Sequence, residues 1–185
     1  GVMDLAGIGL RSAWPAKLTL DVDSLPIEVH GHQPGSAWNG HYAARTYHPL
    51  VTSVAETGDM LDARLRPGNV HTADGALEVV LDVVDRVRRS GFEIATVRMD
   101  AGFPSAPLFD GLEARGIDYV MRLRANSVLD AMAAPYMRRP PGRRPAEPRT
   151  WVHELEYGAE SWSKSRRVML VVLERPDELL LDRFF

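Results

Sequence analysis

Two apolar runs in this chain each close on an aspartate: Leu18-Thr19-Leu20-Asp21-Val22-Asp23 and Ile94-Ala95-Thr96-Val97-Arg98-Met99-Asp100. Short apolar runs rich in β-branched residues read as buried strands, so both acids fall where a strand runs out. That edge of a sheet is where open α/β folds keep their ligands. If the two strands are parallel neighbours, their axes lie roughly 4.8 Å apart, and the carboxylates can share one divalent cation. Without a cation, two such acids would repel each other.

Composition narrows the setting. With 185 residues the chain can build one full core and part of a second. A hydrophobic share of 45% and a charged share of 25% are those of an ordinary globular protein, which excludes wholesale disorder. No apolar stretch approaches the about 20 residues of a membrane span, so no membrane partner is expected. The absence of cysteine rules out disulfides and thiolate metal sites and fits a reducing compartment. The net charge of −3 argues against nucleic acid on average, yet seven arginines stand against only Asp130 and Glu147 between Arg122 and Arg149. That local excess keeps a DNA partner open.

Read along the chain, residues 17–23 form a strand that Leu25-Pro26 ends. Ile27 to His30 alternates, Gly31 to Gly40 is a loop, Tyr47 to Val54 reads as one strand around Pro49, and Met60 to Leu65 as another. Leu77, Val80, Leu81, Val84 and Val87 recur at helical spacing, with Thr72 or Asp74 as cap and Gly91 as the left-handed stop. A strand over 92–99, a helix over about 106–115 opened by Ser105 and Pro107 and closed by Gly116, and a strand over 117–123 follow. The order is β-β-β-α-β-α-β. Residues 131–150 are crowded with proline and arginine and read as a linker or basic strip. Trp151 to Tyr157 and Arg166 to Leu173 begin a β-rich piece.

At this point the chain resembles the DDE transposases of bacterial insertion sequences, of the kind called transposase DDE domain group 1. The resemblance is carried by Leu20-Asp21-Val22-Asp23-Ser24, His30-Gly31-His32-Gln33, Asn39-Gly40-His41-Tyr42, Tyr47-His48-Pro49-Leu50, Leu65-Arg66-Pro67-Gly68-Asn69, Arg98-Met99-Asp100-Ala101-Gly102-Phe103 and Gly116-Ile117-Asp118-Tyr119-Val120 through Asn126. Each is short, and their joint order and spacing make the resemblance specific.

It implies an RNase H-like mixed α/β sheet over residues 17–130, after a lead-in of 1–16. The 131–150 linker and the start of a β-rich insertion domain over 151–185 would follow. Carried over by position, Asp23 and Asp100 are the first two catalytic, metal-holding acids, and Asp21 is an auxiliary or alternative ligand on the same strand face. The implied cofactor is a pair of Mg²⁺ or Mn²⁺ ions, and the implied partner is DNA, both transposon ends and target. Synapsis of two ends suits a homodimer, and the family setting is the bacterial cytoplasm, at the nucleoid. Arg66, Arg138, Arg139, Arg143 and Arg144 are the candidate phosphate contacts. The third acid of the family, a glutamate on a helix beyond the insertion, has no counterpart here. The expectation is therefore a fragment that binds metal weakly and cleaves little.

Other readings stand beside this one. Asp21-Val22-Asp23-Ser24 also looks like the nucleophile motif of haloacid-dehalogenase-type phosphatases, with Asp21 attacking phosphorus and Asp23 as acid/base, and Gly58 to Asp62 imitates their late acidic motif. Such enzymes want a helix soon after the first strand. A remnant that binds DNA without catalysis is a third reading. His30, His32 and His41 lack a fourth ligand at zinc spacing, Gln33 and Asn39 can serve turns as readily as DNA, and Trp14 and Trp38 read as packing residues.

Overall fold

In a computed structural model describing residues 14–185, alternation along the first apolar run does what its period dictates. Strand β1 (Lys17–Ser24) buries Leu18, Leu20 and Val22 and turns Thr19, Asp21 and Asp23 to the other face. Next come β2 (Ile27–Glu28), β3 (Ala37–Asn39) and β4 (Ala44–Tyr47), which form their own antiparallel sheet in the order β2-β4-β3. Then β5 (Leu50–Val54) runs antiparallel beside β1, pairing Ser24 with Leu50 and Leu20 with Val54, and β6 (Met60–Arg64) runs antiparallel beside β5.

Two crossovers complete the sheet. Helix α1 (Ala76–Arg89) leads into β7 (Glu93–Met99), parallel to β1 on its free side, and α2 (Ala106–Ala114) leads into β8 (Asp118–Met121), parallel to β7. The five-stranded order is β6-β5-β1-β7-β8. This is the mixed sheet expected from the element order, with β1 at its centre. Val79, Val80, Val83, Val84 and Val87 of α1 and Leu108 and Leu112 of α2 pack on the buried face of the sheet, with Phe103 fully buried among them. Each such aliphatic side chain contributes about 1.5–3 kcal/mol by leaving water.

The structure departs from the sequence reading in instructive places. Tyr47 to Val54 is two strands in two different sheets, because the break falls at His48-Pro49 and proline has no N–H for a ladder. The loop expected from Gly31 to Gly40 contains β3. Neither Thr72 nor Asp74 caps α1. Gly75, at φ 69°, takes the cap position, and the Asp74 carboxylate accepts from the His71 N–H instead. Gly91 and Gly116 do adopt the left-handed backbone, at φ 87° and 65°. Trp14 packs edge-on against Phe92, whereas Trp38 is 59% exposed. The lead-in up to residue 13 lies outside the described residues.

A second compact unit spans Arg122–Phe185. It opens with α3 (Ser127–Ala133), not anticipated from sequence, whose cap is Asn126: the carboxamide oxygen accepts from the N–H groups of Val128 and Leu129, both at 3.0 Å. Strands β9 (Arg149–Tyr157), β10 (Arg166–Glu174) and β11 (Asp182–Phe184) form an antiparallel sheet in the order β11-β10-β9. Its core is Leu129, Ala133, Val168, Leu170, Val172 and Phe185. The arginine- and proline-rich stretch therefore lies within this unit, between α3 and β9, and the boundary between the units falls after Met121. Among the described residues no helix is long and apolar enough to cross a membrane.

Candidate active site

Register sets the ends of the two acid-bearing strands side by side. Along the parallel β1–β7 pair, Asp21 stands opposite Arg98 and Val22 opposite Met99. Asp23 is the next residue of β1 after that last pair, and Asp100 directly follows β7. Val22 and Met99 are both buried, and alternation along β1 turns Asp23 to the opposite face. Asp23 and Asp100 are exposed. Each uses one oxygen locally: Asp23 Oδ1 accepts from the Ser24 N–H and Asp100 Oδ1 from the Gly102 N–H, both at 2.7 Å. Among the described residues neither Oδ2 has a hydrogen-bond partner.

Asp21 is differently placed. Its two oxygens accept from Arg98 Nε at 2.6 Å and Nη2 at 2.5 Å. Hydrogen bonding to Asp21, reinforced by its charge, holds the Arg98 guanidinium above its usual pKa. A carboxylate taken up at both oxygens by a guanidinium fork is poorly disposed to hold a cation.

The ground around the acids is built by residues from the short stretches that carry the family resemblance. Ser24 Oγ lies 3.1 Å from His48 Nε2, and His48 Nδ1 lies 3.3 Å from the Val70 carbonyl. An N–H at Nδ1 directed to that carbonyl leaves Nε2 to accept from the serine hydroxyl. Arg66 donates through Nε to the His48 carbonyl and through Nη1 to the carbonyls of Thr72 and Asp74, at 2.9, 3.1 and 2.6 Å. Its Nη2 is buried, and that burial, partly offset by Asp74, lowers its pKa. Asn39 Nδ2 donates to the Gly68 carbonyl at 2.6 Å, and its Oδ1 accepts from the His41 N–H at 2.9 Å. The stretches containing Asn39, His48 and Arg66 thus form one hydrogen-bonded loop cluster. Ser24 and His48 could have been singled out from their places in those stretches, but only the tertiary structure reveals their partnership.

The remaining arginines divide. Arg139 ion-pairs with Glu174 at 2.7 Å and donates to the Glu178 carbonyl at 3.0 Å, and Arg149 reaches Glu174 at 2.9 Å. Glu174 is fully buried, so its carboxylate is committed inside the second unit. Arg138, Arg143 and Arg144 are exposed and engage no acceptor among the described residues.

Among the described residues no cluster of three or more histidines or acids forms a metal cage, the three loop histidines included. The phosphatase alternative fails on topology, because the strand that follows in the central sheet, β5, returns antiparallel beside β1. Its supposed late acids are also occupied. Asp59 accepts from Trp14 Nε1 and Thr57 Oγ1, both at 2.7 Å, and Asp62 pairs with Arg64 and Arg86, both at 3.0 Å.

Comparison with known proteins agrees with this topology. A piggyBac transposase synaptic complex with hairpin DNA contains a chain similar to this one over 90% of the present sequence, at 14% identity and a TM-score of 0.51. The present chain spans 32% of the length of that transposase chain. A simian T-cell lymphotropic virus intasome bound to a phosphatase regulatory subunit has a chain matching 89% of this sequence and 80% of its own, at 13% identity and a TM-score of 0.40. No curated protein is significantly similar. The profile of the family described as Transposase DDE domain group 1 matches residues 7–185. The chain belongs to that family, and its central sheet is an RNase H-like core.

Proposed function

We propose that this chain carries the first two acids of a DNA transposase centre that cuts transposon ends and transfers the freed strand. The reading is supported by the parallel register of β1 and β7, whose last pair, Val22 and Met99, is followed on each chain segment by an aspartate, Asp23 and Asp100, with one oxygen unused. Two carboxylate oxygens with open solvent around them fit a hard divalent cation such as Mg²⁺ or Mn²⁺, which keeps waters in its remaining positions. When bound, such ions lower the pKa of an attacking water or hydroxyl and stabilise the departing oxygen of a phosphodiester. Asp23 and Asp100 would hold the ions. The Ser24 and Gly102 N–H groups fix each Oδ1 and so aim each Oδ2.

DNA is the partner that the family and the hairpin-DNA complex of the similar chain support. Of the five arginines expected to touch phosphates, Arg138, Arg143 and Arg144 keep that role in this proposal. Arg66 and Arg139 leave it, because their donors are directed to protein acceptors. Asp21 likewise becomes a partner of Arg98 instead of a ligand. A homodimer follows from the need to hold two ends at once.

The test is Mn²⁺ binding to the chain, followed by electron paramagnetic resonance. Asp23→Asn and Asp100→Asn should each lower affinity by about tenfold or more, since ligand charge count sets the affinity of oxygen sites. Unchanged Mn²⁺ binding in both variants would sink the proposal. Separately, neutralising Arg143 and Arg144 should flatten the salt dependence of DNA binding by about one unit of log–log slope per lost phosphate contact.

A further inference from the structure

The segment from Arg66 to Asp74 touches both acid-bearing turns, by two different routes. On one side, Arg66 Nε donates to the His48 carbonyl and the His48 N–H donates to the Arg66 carbonyl, each at 2.9 Å. The His48 ring then bridges the Val70 carbonyl and Ser24 Oγ. Ser24 in turn supplies the N–H that fixes Asp23 Oδ1. On the other side, Arg66 Nη1 holds the carbonyls of Thr72 and Asp74. Thr72 lies against Gly102, so closely that a Cβ at residue 102 would sit 2.9 Å from Thr72 Cγ2 and 3.1 Å from Asp100 Oδ1. Gly102 supplies the N–H that fixes Asp100 Oδ1.

We propose that Arg66 is a positioning residue whose guanidinium locks residues 66–74 into a single brace, so that the aim of Asp23 and the aim of Asp100 are set together. The inference rests on reading those two aspartates as the acid pair. Two like charges that must converge on one ion gain from a common rigid support, here one segment held by a single guanidinium that meets the first acid's turn through the His48 ring and the second's through the Thr72–Gly102 contact. The chemistry of the group fits the task. A guanidinium presents several donors in one rigid plane, so a single side chain can hold carbonyls from separate turns. Its third nitrogen, Nη2, is buried with no acceptor among the described residues. A surface phosphate contact would need that nitrogen in the open. Asn39 and Gly68 fasten the brace from outside, through the Asn39 carboxamide and the close seat of Gly68 on Thr46.

The test is amide hydrogen exchange by ¹H–¹⁵N NMR on the whole chain, read at Ser24 and Gly102, with Gly116 and Leu129 as remote references. In Arg66→Met both Ser24 and Gly102 should exchange at least about tenfold faster while the references hold, since local opening is read at the amides it frees. Arg66→Lys keeps charge without the planar fork and should fall between. The proposal is overturned if neither amide changes, or if one accelerates and the other does not. Should Arg66→Met fail to fold, Arg66→Lys and Thr72→Ser carry the same readout, the latter expected to loosen Gly102 alone, and unchanged exchange at Gly102 in both refutes the brace. Paramagnetic broadening of these two amides by Mn²⁺ in the unaltered chain is recorded in parallel. Its absence counts against the metal reading, whereas the exchange data judge the brace by themselves.

Discussion

Asp21 and Arg98 face each other across β1 and β7, and one guanidinium takes both oxygens of the carboxylate through Nε and Nη2. The pair separates two acids that the sequence made look equivalent, since Asp21 and Asp23 share a strand face. The Arg98 side chain is 59% exposed and that of Asp21 28% exposed, so solvent screens the attraction. Asp21→Asn should barely move the urea midpoint, as for a solvent-screened surface pair, and leave Mn²⁺ affinity within about twofold. A loss comparable to that of Asp23→Asn would return Asp21 to the ligand set.

Glu174 predicts an asymmetry. Its carboxylate is fully buried, whereas its partners Arg139 and Arg149 have side chains 26% and 41% exposed. Removing Glu174 by Glu174→Met leaves two cations that can turn to water. Replacing both arginines by methionine leaves a buried anion alone, which costs about 3–5 kcal/mol. Thermal unfolding should therefore rank the arginine double variant well below Glu174→Met, and the reverse order would show that the anion finds other compensation.

The Trp14–Asp59 contact carries a pH dependence. Hydrogen bonds from Trp14 and then Thr57 hold the Asp59 carboxyl below the usual carboxylate range. A depressed folded-state pKa means that this group's stabilisation is complete above the unfolded value of about 4 and is lost as pH falls through the folded value. Trp14 emission should thus shift at acid pH below about 4, and Asp59→Asn should remove that step. A titration that centres above pH 5 in the unaltered chain would contradict the assignment.

Backbone geometry gives two opposite substitutions. A Cβ on Gly68 would run into Thr46 Oγ1 and its carbonyl and lie 2.8 Å from the Ala37 carbonyl. Those atoms belong to strand backbone and a buried side chain that cannot yield cheaply, so Gly68→Ala should cost about 2–4 kcal/mol. Ala43, by contrast, sits at φ 50°, where glycine is at ease, and Ala43→Gly should cost nothing or stabilise by up to about 1 kcal/mol. Chemical denaturation of the two variants checks both signs.

How far residues alone could reach is clear from these cases. The central sheet was legible because Leu18, Leu20 and Val22 alternate with polar neighbours, and because α1 carries its valines at helical spacing. The small sheet was not, since β2 and β3 have two and three residues and no room for a period to show. Helix α3 was hidden by Pro135 and the arginines that follow it, though Asn126 before Ser127 was a usable cap signal. At the site, the strand-end aspartates were visible as residue types at an edge. The inward roles of Arg66 and Arg139 were not, because arginine is nearly always a surface residue and its carbonyl or carboxylate partners come from distant segments.

The alternation in β1 has one more consequence. A slip of that strand by a single position would send Asp21 and Asp23 into the aliphatic interior and push Leu18, Leu20 and Val22 into water. A sheet slipped by one residue cannot survive to present its acids wrongly. Folding therefore acts as the inspector of the chemistry: a chain that has found its proper alignment has already pointed its acids outward.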